Sequence, residues 1–330
     1  MPQLVARPSV PPAVAPKAGP FDLRFSAYTS GDLRVGDPEW VSPVSQTASI
    51  GRAVAPGEYR SVGKIIIYRA GYFPMNLWTQ TGGDPIEPIN GREASLFTLP
   101  SNITPTVAAD SLLFWRYADD SVGVLASFRK RLTRAEMVRV ASAFRLTAPR
   151  PVRLPFSVSF VPPGLRLVAV EVSRAKTATA LLMPEATDGY EFTALYEQAK
   201  FVSEWSEPGP GSKEPVDSSV PRAAPGNAPA PTGSIVIGVQ LSFVPGTGPT
   251  PKCEPFPRQT SVTACRIAPD DTSYVVTLGG GDVPLDYTKR VGREVQVVGR
   301  GIPAMRPAEN PETWPTVREA FPTSAQVMRD

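Results

Sequence analysis

Proline and glycine limit the folding of this chain more than any other feature: 330 residues carry 39 prolines and 26 glycines. Proline lacks a backbone donor and clashes with the preceding turn of a helix. With nearly a fifth of the positions acting as bends or breaks, a long-helix bundle or coiled coil is excluded. Apolar residues make up 42%, enough for a sizeable core in two medium domains or one large one.

Between the breaks the pattern is that of strands. FDLRFSAY (21–28) alternates Phe21, Leu23 and Phe25 on one face. KIIIYRAGYF (64–73) is β-branched and aromatic up to Pro74. SLLFWRY (111–117) and SVGVLASF (121–128) flank Ala118-Asp119-Asp120 and read as a hairpin. Asn90-Gly91 marks another tight turn. Further strand runs are VRLPFSVSFVPPGLRLVAVEVS (152–173, broken at Pro162-Pro163-Gly164), ATALLMPE (178–185), YEFTALYEQAKFVSEW (190–205), SIVIGVQLSFV (234–244), SYVVTLGGG (273–281) and REVQVVG (293–299).

One helix is well marked, over 133–145. Thr133-x-x-Glu136 is a capping box, with Leu132 and Met137 placed as a hydrophobic staple. Met137, Val140, Ala141 and Phe144 form a single apolar stripe, which predicts packing against a sheet.

Two segments read differently. Residues 1–20 hold six prolines and predict an extended tether; an anchor upstream of it is expected. Residues 206–233 hold seven prolines and predict an exposed, disordered loop over about 206–232, since such a composition buries too little apolar surface to offset ordering entropy. A weak internal repeat joins the rest. GPFDLRFSAYTSGDLRV matches LPFSVSFVPPGLRLVAV, and KIIIY matches SIVIGV. Asn90-Gly91-Arg92-Glu93-Ala94 followed by Trp115 matches Val291-Gly292-Arg293-Glu294-Val295 followed by Trp314. The expected architecture is α+β and mostly antiparallel β, in two similar strand-rich lobes, 21–148 and 149–330, joined by the helix.

The chain contains no histidine. That removes Ser-His-Asp and Cys-His catalysis and every His-ligated metal site. Carboxylate pairs remain, but Asp119-Asp120 and Asp270-Asp271 are sequence neighbours at turns. Acid–base work needs two carboxyls in unlike environments facing one substrate. Gly279-Gly280-Gly281-Asp282 reads as a glycine-rich turn, because VPLDYTKR follows it where a phosphate cradle would need a helix. The net charge of +3 comes from charges spread along the chain, with Arg129-Lys130-Arg131 the densest cluster; no nucleic-acid signature is present. No apolar run reaches 18 residues, and no signal-peptide core is seen. No metal, cofactor or catalytic residue is expected. Tyr72, Phe73, Trp115 and Tyr117 are candidate groove aromatics, whose alternation equally fits sheet packing.

Cys253 and Cys265 are separated by eleven residues, EPFPRQTSVTA, which reads as a proline-bearing loop. They form either a disulfide, which would imply an oxidising compartment, or two unpaired thiols.

Asn90-Gly91-Arg92, Leu112-Leu113-Phe114-Trp115, Asp120-Ser121-Val122-Gly123-Val124-Leu125 and Leu132-Thr133-x-x-Glu136-Met137-x-x-x-Ala141 together resemble a bacterial extracytoplasmic domain family of unknown function. Such domains sit behind a single transmembrane helix, including in anti-sigma-factor-like membrane proteins. PFSVSFVPPGLRL is similar to the family's P-x-Y-x-P-x-G strand opening, with Phe160 at the aromatic-hydroxyl position. The composition resembles that of actinobacterial proteins. The resemblance implies a non-catalytic binding or sensing domain in the cell envelope, tethered by an upstream anchor, with an envelope ligand or protein as partner. Alternatives are a scaffold component of an envelope assembly and a carboxylate-based hydrolase.

Overall fold

The computed structural model describes residues 21–73, 75, 78, 83–98, 109–128, 131–172, 177–184, 235–242, 252–256, 259–267, 273–280, 285–297 and 311–325. The tether at 1–20, the strand run at 190–205, the loop at 206–232 and Asp270-Asp271 lie outside the described residues. Antiparallel β-structure dominates. In the first half the strands are β1 (Asp22–Leu23), β2 (Tyr28–Ser30), β3 (Leu33–Val35), β4 (Trp40–Val41), β5 (Ser45–Ala55), β6 (Glu58–Tyr68), β7 (Asp84–Pro85), β8 (Ala94–Thr98), β9 (Ala109–Ala118) and β10 (Ser121–Phe128). Helix α1 (Arg134–Ala143) and β11 (Arg150–Pro151) follow. The second half holds β12 (Phe156–Val158), β13 (Leu165–Val172), β14 (Thr177–Pro184), β15 (Ile235–Ser242), β16 (Lys252–Phe256), β17 (Gln259–Ile267), β18 (Ser273–Gly280), α2 (Leu285–Arg293), β19 (Val295–Val297) and the short α3 (Val317–Ala320).

Among the described residues fifteen strands form one sheet, whose main path runs β16-β17-β18-β15-β14-β13-β4-β5-β6-β10-β9-β8-β7. Read outward from the β13–β4 contact, the two arms have the same order. Each steps outward over three strands, then receives a meander that runs back inward, of three strands in the second arm and of the same three preceded by the two-residue β7 in the first. Each meander is followed by a helix, and the strand after the helix pairs with the strand that opened the half: β11 with β1, and β19 with β12. In the first arm β3 and β4 share the position that β13 fills alone, since both pair with β5 as β13 pairs with β14. The arms meet where Val41 faces Val170 and Trp40 faces Glu171. Like strands paired antiparallel are what an approximate two-fold relation gives.

The helix at the end of the first half packs within that half. Its capping box is formed: Thr133 N–H donates to Glu136 Oε2 at 2.8 Å, and Glu136 N–H donates to Thr133 Oγ1 at 3.3 Å. Met137, Val140, Ala141 and Phe144 are buried with Phe25, Leu33, Ile50, Ile65, Leu113, Trp115 and Leu125 in one core. The halves are joined by the sheet itself. A second core lies under α2 and α3, around Phe156, Leu167, Leu182, Ile237, Val291 and Phe321. The opposite face of the sheet is also apolar, with Ile66, Phe73, Trp78, Phe114 and Val124 in one cluster and Trp40, Val168, Leu181, Met183 and Val236 in another. Burial on both faces explains why Ile65-Ile66-Ile67 and Leu112-Leu113-Phe114-Trp115 are unbroken apolar runs rather than alternating ones.

Three readings are corrected. Residues 254–256 and 259–264 are strand rather than loop, because 252–256 and 259–267 are paired strands with Pro255 within β16; β16 ends the sheet path among the described residues, and an edge strand tolerates the missing donor. A helix, α2, does follow the glycines at the end of β18. The Arg–Trp half of the repeat is out of register. Asn90-Gly91 turns ahead of β8, and Asn90 and Gly91 both take positive φ (50° and 75°), whereas Val291-Gly292-Arg293 closes α2. Gly31 and Gly164 each take positive φ (67° and 83°) just before Leu33-Arg34-Val35 and Leu165-Arg166-Leu167, and β6 corresponds to β15.

Candidate functional site

The shared topology allows the arms to be superposed in register. Leu33 and Val35 face Arg52 and Ile50, while Leu165 and Leu167 face Pro184 and Leu182. Following the pairing outward from this anchor, one row of the first arm reads Gln46, Ile67, Gly123, Trp115, Ala94. The matching row of the second arm reads Ala178, Val239, Val276, Cys265, Cys253. Ile67, Trp115 and Ala94 of the first row, and Ala178 and Cys253 of the second, pack in the cores on the helix side of the sheet.

In the first arm this row is filled by one large side chain. Trp115 is buried and lies across Gly123, where a Cβ would come within 2.4 Å of the indole. Phe144 packs on the indole edge-on at 6.2 Å. The corresponding places of the second arm hold Cys265 and Cys253, directly opposite each other on β17 and β16, and the place of Gly123 holds valine. Directly opposed residues have Cβ atoms about 4.5–5.5 Å apart, which brings the pair into the range that disulfide geometry requires. Cys253 packs against the second core, with its Sγ 3.9 Å from the carbonyl oxygen of Lys289 in α2.

The four candidate aromatics do not share a groove. Trp115 lies in the helix-side core, while Phe73 is buried on the other face, edge-on to Tyr68 at 5.0 Å and to Phe114 at 6.0 Å. Tyr72 and Tyr117, however, meet at a polar cluster that the sequence reading missed. Arg69 immediately follows the last residue of β6 and is nearly wholly buried. Burial pushes its guanidinium down to about 10, and Arg24 adds to this, while Asp22, Tyr72 and Tyr117 oppose it. Gln46 ties the cluster to the first strand, since its amide donates to the Asp22 carbonyl and its Oε1 accepts from Arg24 N–H at 2.9 Å. The Tyr117 hydroxyl donates to the Tyr68 carbonyl. Burial raises that phenol above its ordinary value, against the opposing effects of Ser121, Arg24 and Arg69. The raised phenol of Tyr117 and the guanidinium of Arg69 both hold their protons through neutral pH, where a general base must have given its proton up. No local sequence signal marks Arg69, since a charged residue after an apolar run such as Ile65–Tyr68 is an ordinary strand end.

The carboxylate pair Asp119-Asp120 sits at the β9–β10 turn, where Asp120 takes φ 51° and Asp119 pairs with Arg92 at 2.7 Å. Among the described residues no group of three or more Cys, Asp or Glu is placed to hold a metal ion. Among them, too, no helix is long and apolar enough to cross a membrane.

No family model matches the chain, and no curated protein matches it.

Proposed function

We propose that this chain is a non-catalytic binding or sensing domain of the bacterial cell envelope, held outside the membrane by an anchor upstream. We propose further that it is built from two copies of one sheet-and-helix unit. The observation that carries the reading is the placing of Cys253 opposite Cys265. Two cysteines in directly facing register, against a helix and with no histidine in the chain, are best used as a cystine, and cystines persist in oxidising compartments. The resemblance of residues 90–141 to extracytoplasmic bacterial domains supports the same location. The common strand order of the arms and the paired Gly31 and Gly164 turns support the duplication.

The test is alkylation of the protein as isolated from its native cell without reductant, followed by peptide mapping. The expected result is one peptide pair joined through Cys253 and Cys265, together with labelling of intact cells by a membrane-impermeant amine reagent. Two freely alkylated cysteines in protein shielded from the reagent would overturn the reading.

A further inference from the structure

The feature left unused by this reading is the far end of the β5–β6 hairpin. All eight residues 53–60 are exposed, so the hairpin projects about four residues per strand, or roughly 13 Å, beyond the packed sheet. Its turn, Ala55-Pro56-Gly57-Glu58, is closed by the Ala55–Glu58 pair and carries a single charge, that of Glu58. Val54 is bulged out of the ladder between Ala53 and Ala55 and is 60% exposed. Tyr59 is 43% exposed and lies over Gly51, where a Cβ would come within 2.8 Å of it. Arg34 stacks on its ring at 5.4 Å.

A basic collar surrounds this tip. Arg52 is neutralised by Asp32 at 2.6 Å and Glu136 at 2.8 Å, and Arg139 reaches Asp32 at 3.3 Å. Arg34, Arg60 and Arg131 take part in no ion pair among the described residues. Arg60 stands directly across from Arg52, and Arg131 donates to the Ser61 carbonyl at 3.1 Å.

We infer that this hairpin tip docks on an anionic lipid bilayer. The bulged valine and the tyrosine enter the interfacial zone, and Arg34, Arg60 and Arg131 meet lipid phosphates. The chemistry is complementary on both counts. Aromatic and apolar side chains partition to the interface, and each cationic side chain near an anionic leaflet is worth about fivefold in partition. A protein partner fits less well, because a stable interface buries at least about 1,200 Å² and two apolar side chains on a narrow hairpin offer far less. The inference does not depend on the cystine or on the compartment it implies.

The experiment is co-sedimentation of the purified full chain with vesicles of phosphatidylglycerol and phosphatidylcholine in equal parts, and with phosphatidylcholine alone. The expected result is binding to the anionic vesicles only, weakened in about 1 M salt, where the screening length falls to about 3 Å. Arg60→Glu, which reverses one charge, lowers the partition by about twentyfold, and Val54→Asp lowers it by at least fivefold. Both variants keep the wild-type circular dichroism spectrum, since neither position is in the core. Failure to bind the anionic vesicles, equal binding to neutral ones, or unchanged binding by both folded variants overturns the proposal.

Discussion

Trp115 and Gly123 show how a single residue can depend on another across a strand pair. The indole occupies the space that any side chain at Gly123 would need. Gly123→Ala is therefore expected to cost about 1–3 kcal/mol by overpacking. In a Trp115→Leu background the same change should cost little, and a double-mutant cycle by urea denaturation should give a coupling of about 0.5–3 kcal/mol. Phe144 is the other central contact, with ring centroids of Phe25, Trp115 and Tyr117 within 5.2–6.2 Å. Phe144→Ala is expected to cost about 3–5 kcal/mol, read as a fall in the denaturation midpoint. The stripe of α1 made this residue legible from spacing alone. Arg69 was not legible, because nothing local distinguishes an arginine that the fold buries from one that it leaves in water.

At the level of elements, the cap of α1 couples stability to pH. Burial pulls Glu136 upward, but hydrogen bonds from Thr133 and Arg52 more than offset it and hold the carboxyl below its ordinary 4.5. A depressed acid stabilises the fold above its unfolded value, and that contribution is lost as pH falls through the folded value. Glu136→Gln should therefore flatten the acid limb of the stability profile below about pH 4.5, measured by thermal melts across pH. Thr133→Ala should cost about 1 kcal/mol at neutral pH. The β16–β17 hairpin carries the next prediction. Reduction of a cystine there should lower stability by about 2–4 kcal/mol. Hydrogen exchange should quicken across 252–267 while β8–β10 stay protected, because the first arm contains no cysteine. Equal quickening in both arms would show that the bond acts on the whole sheet. The spacing of Cys253 and Cys265 was visible in the sequence, whereas their register was hidden, since Pro255 and Pro257 made strands look like a loop.

For the whole molecule, the joint between the arms is narrow. Among the described residues, Trp40 and Val41 pair across it with Val170 and Glu171, and Val172 N–H donates to the Glu39 carbonyl at 2.7 Å. Trp40 packs there among Val168, Leu181, Met183 and Val236. Trp40→Ala should cost about 3–5 kcal/mol. It should also split thermal unfolding into two calorimetric transitions, since the helix-side cores are separate clusters and only Phe21, Leu23 and Val41 of the first arm reach the second one among the described residues. A single cooperative transition in the variant would mean that the arms fold as one unit through contacts beyond this joint.

By itself, the sequence determined what short-range chemistry decides: antiparallel strands between prolines and glycines, the Asp119-Asp120 and Asn90-Gly91 turns, and the capped helix with its buried stripe. The box Thr316-x-x-Glu319, formed at the start of α3, was equally readable. The tertiary structure alone decided the pairings between strands distant in sequence. It put Cys253 across from Cys265, sent Phe73 and Trp115 to opposite faces, gathered Tyr72 and Tyr117 around Arg69, and joined the halves through β4 and β13. Strand periodicity shows which face a residue takes but not which strand it meets. Partner choice rests on the summed burial of both sheet faces, which no local window contains.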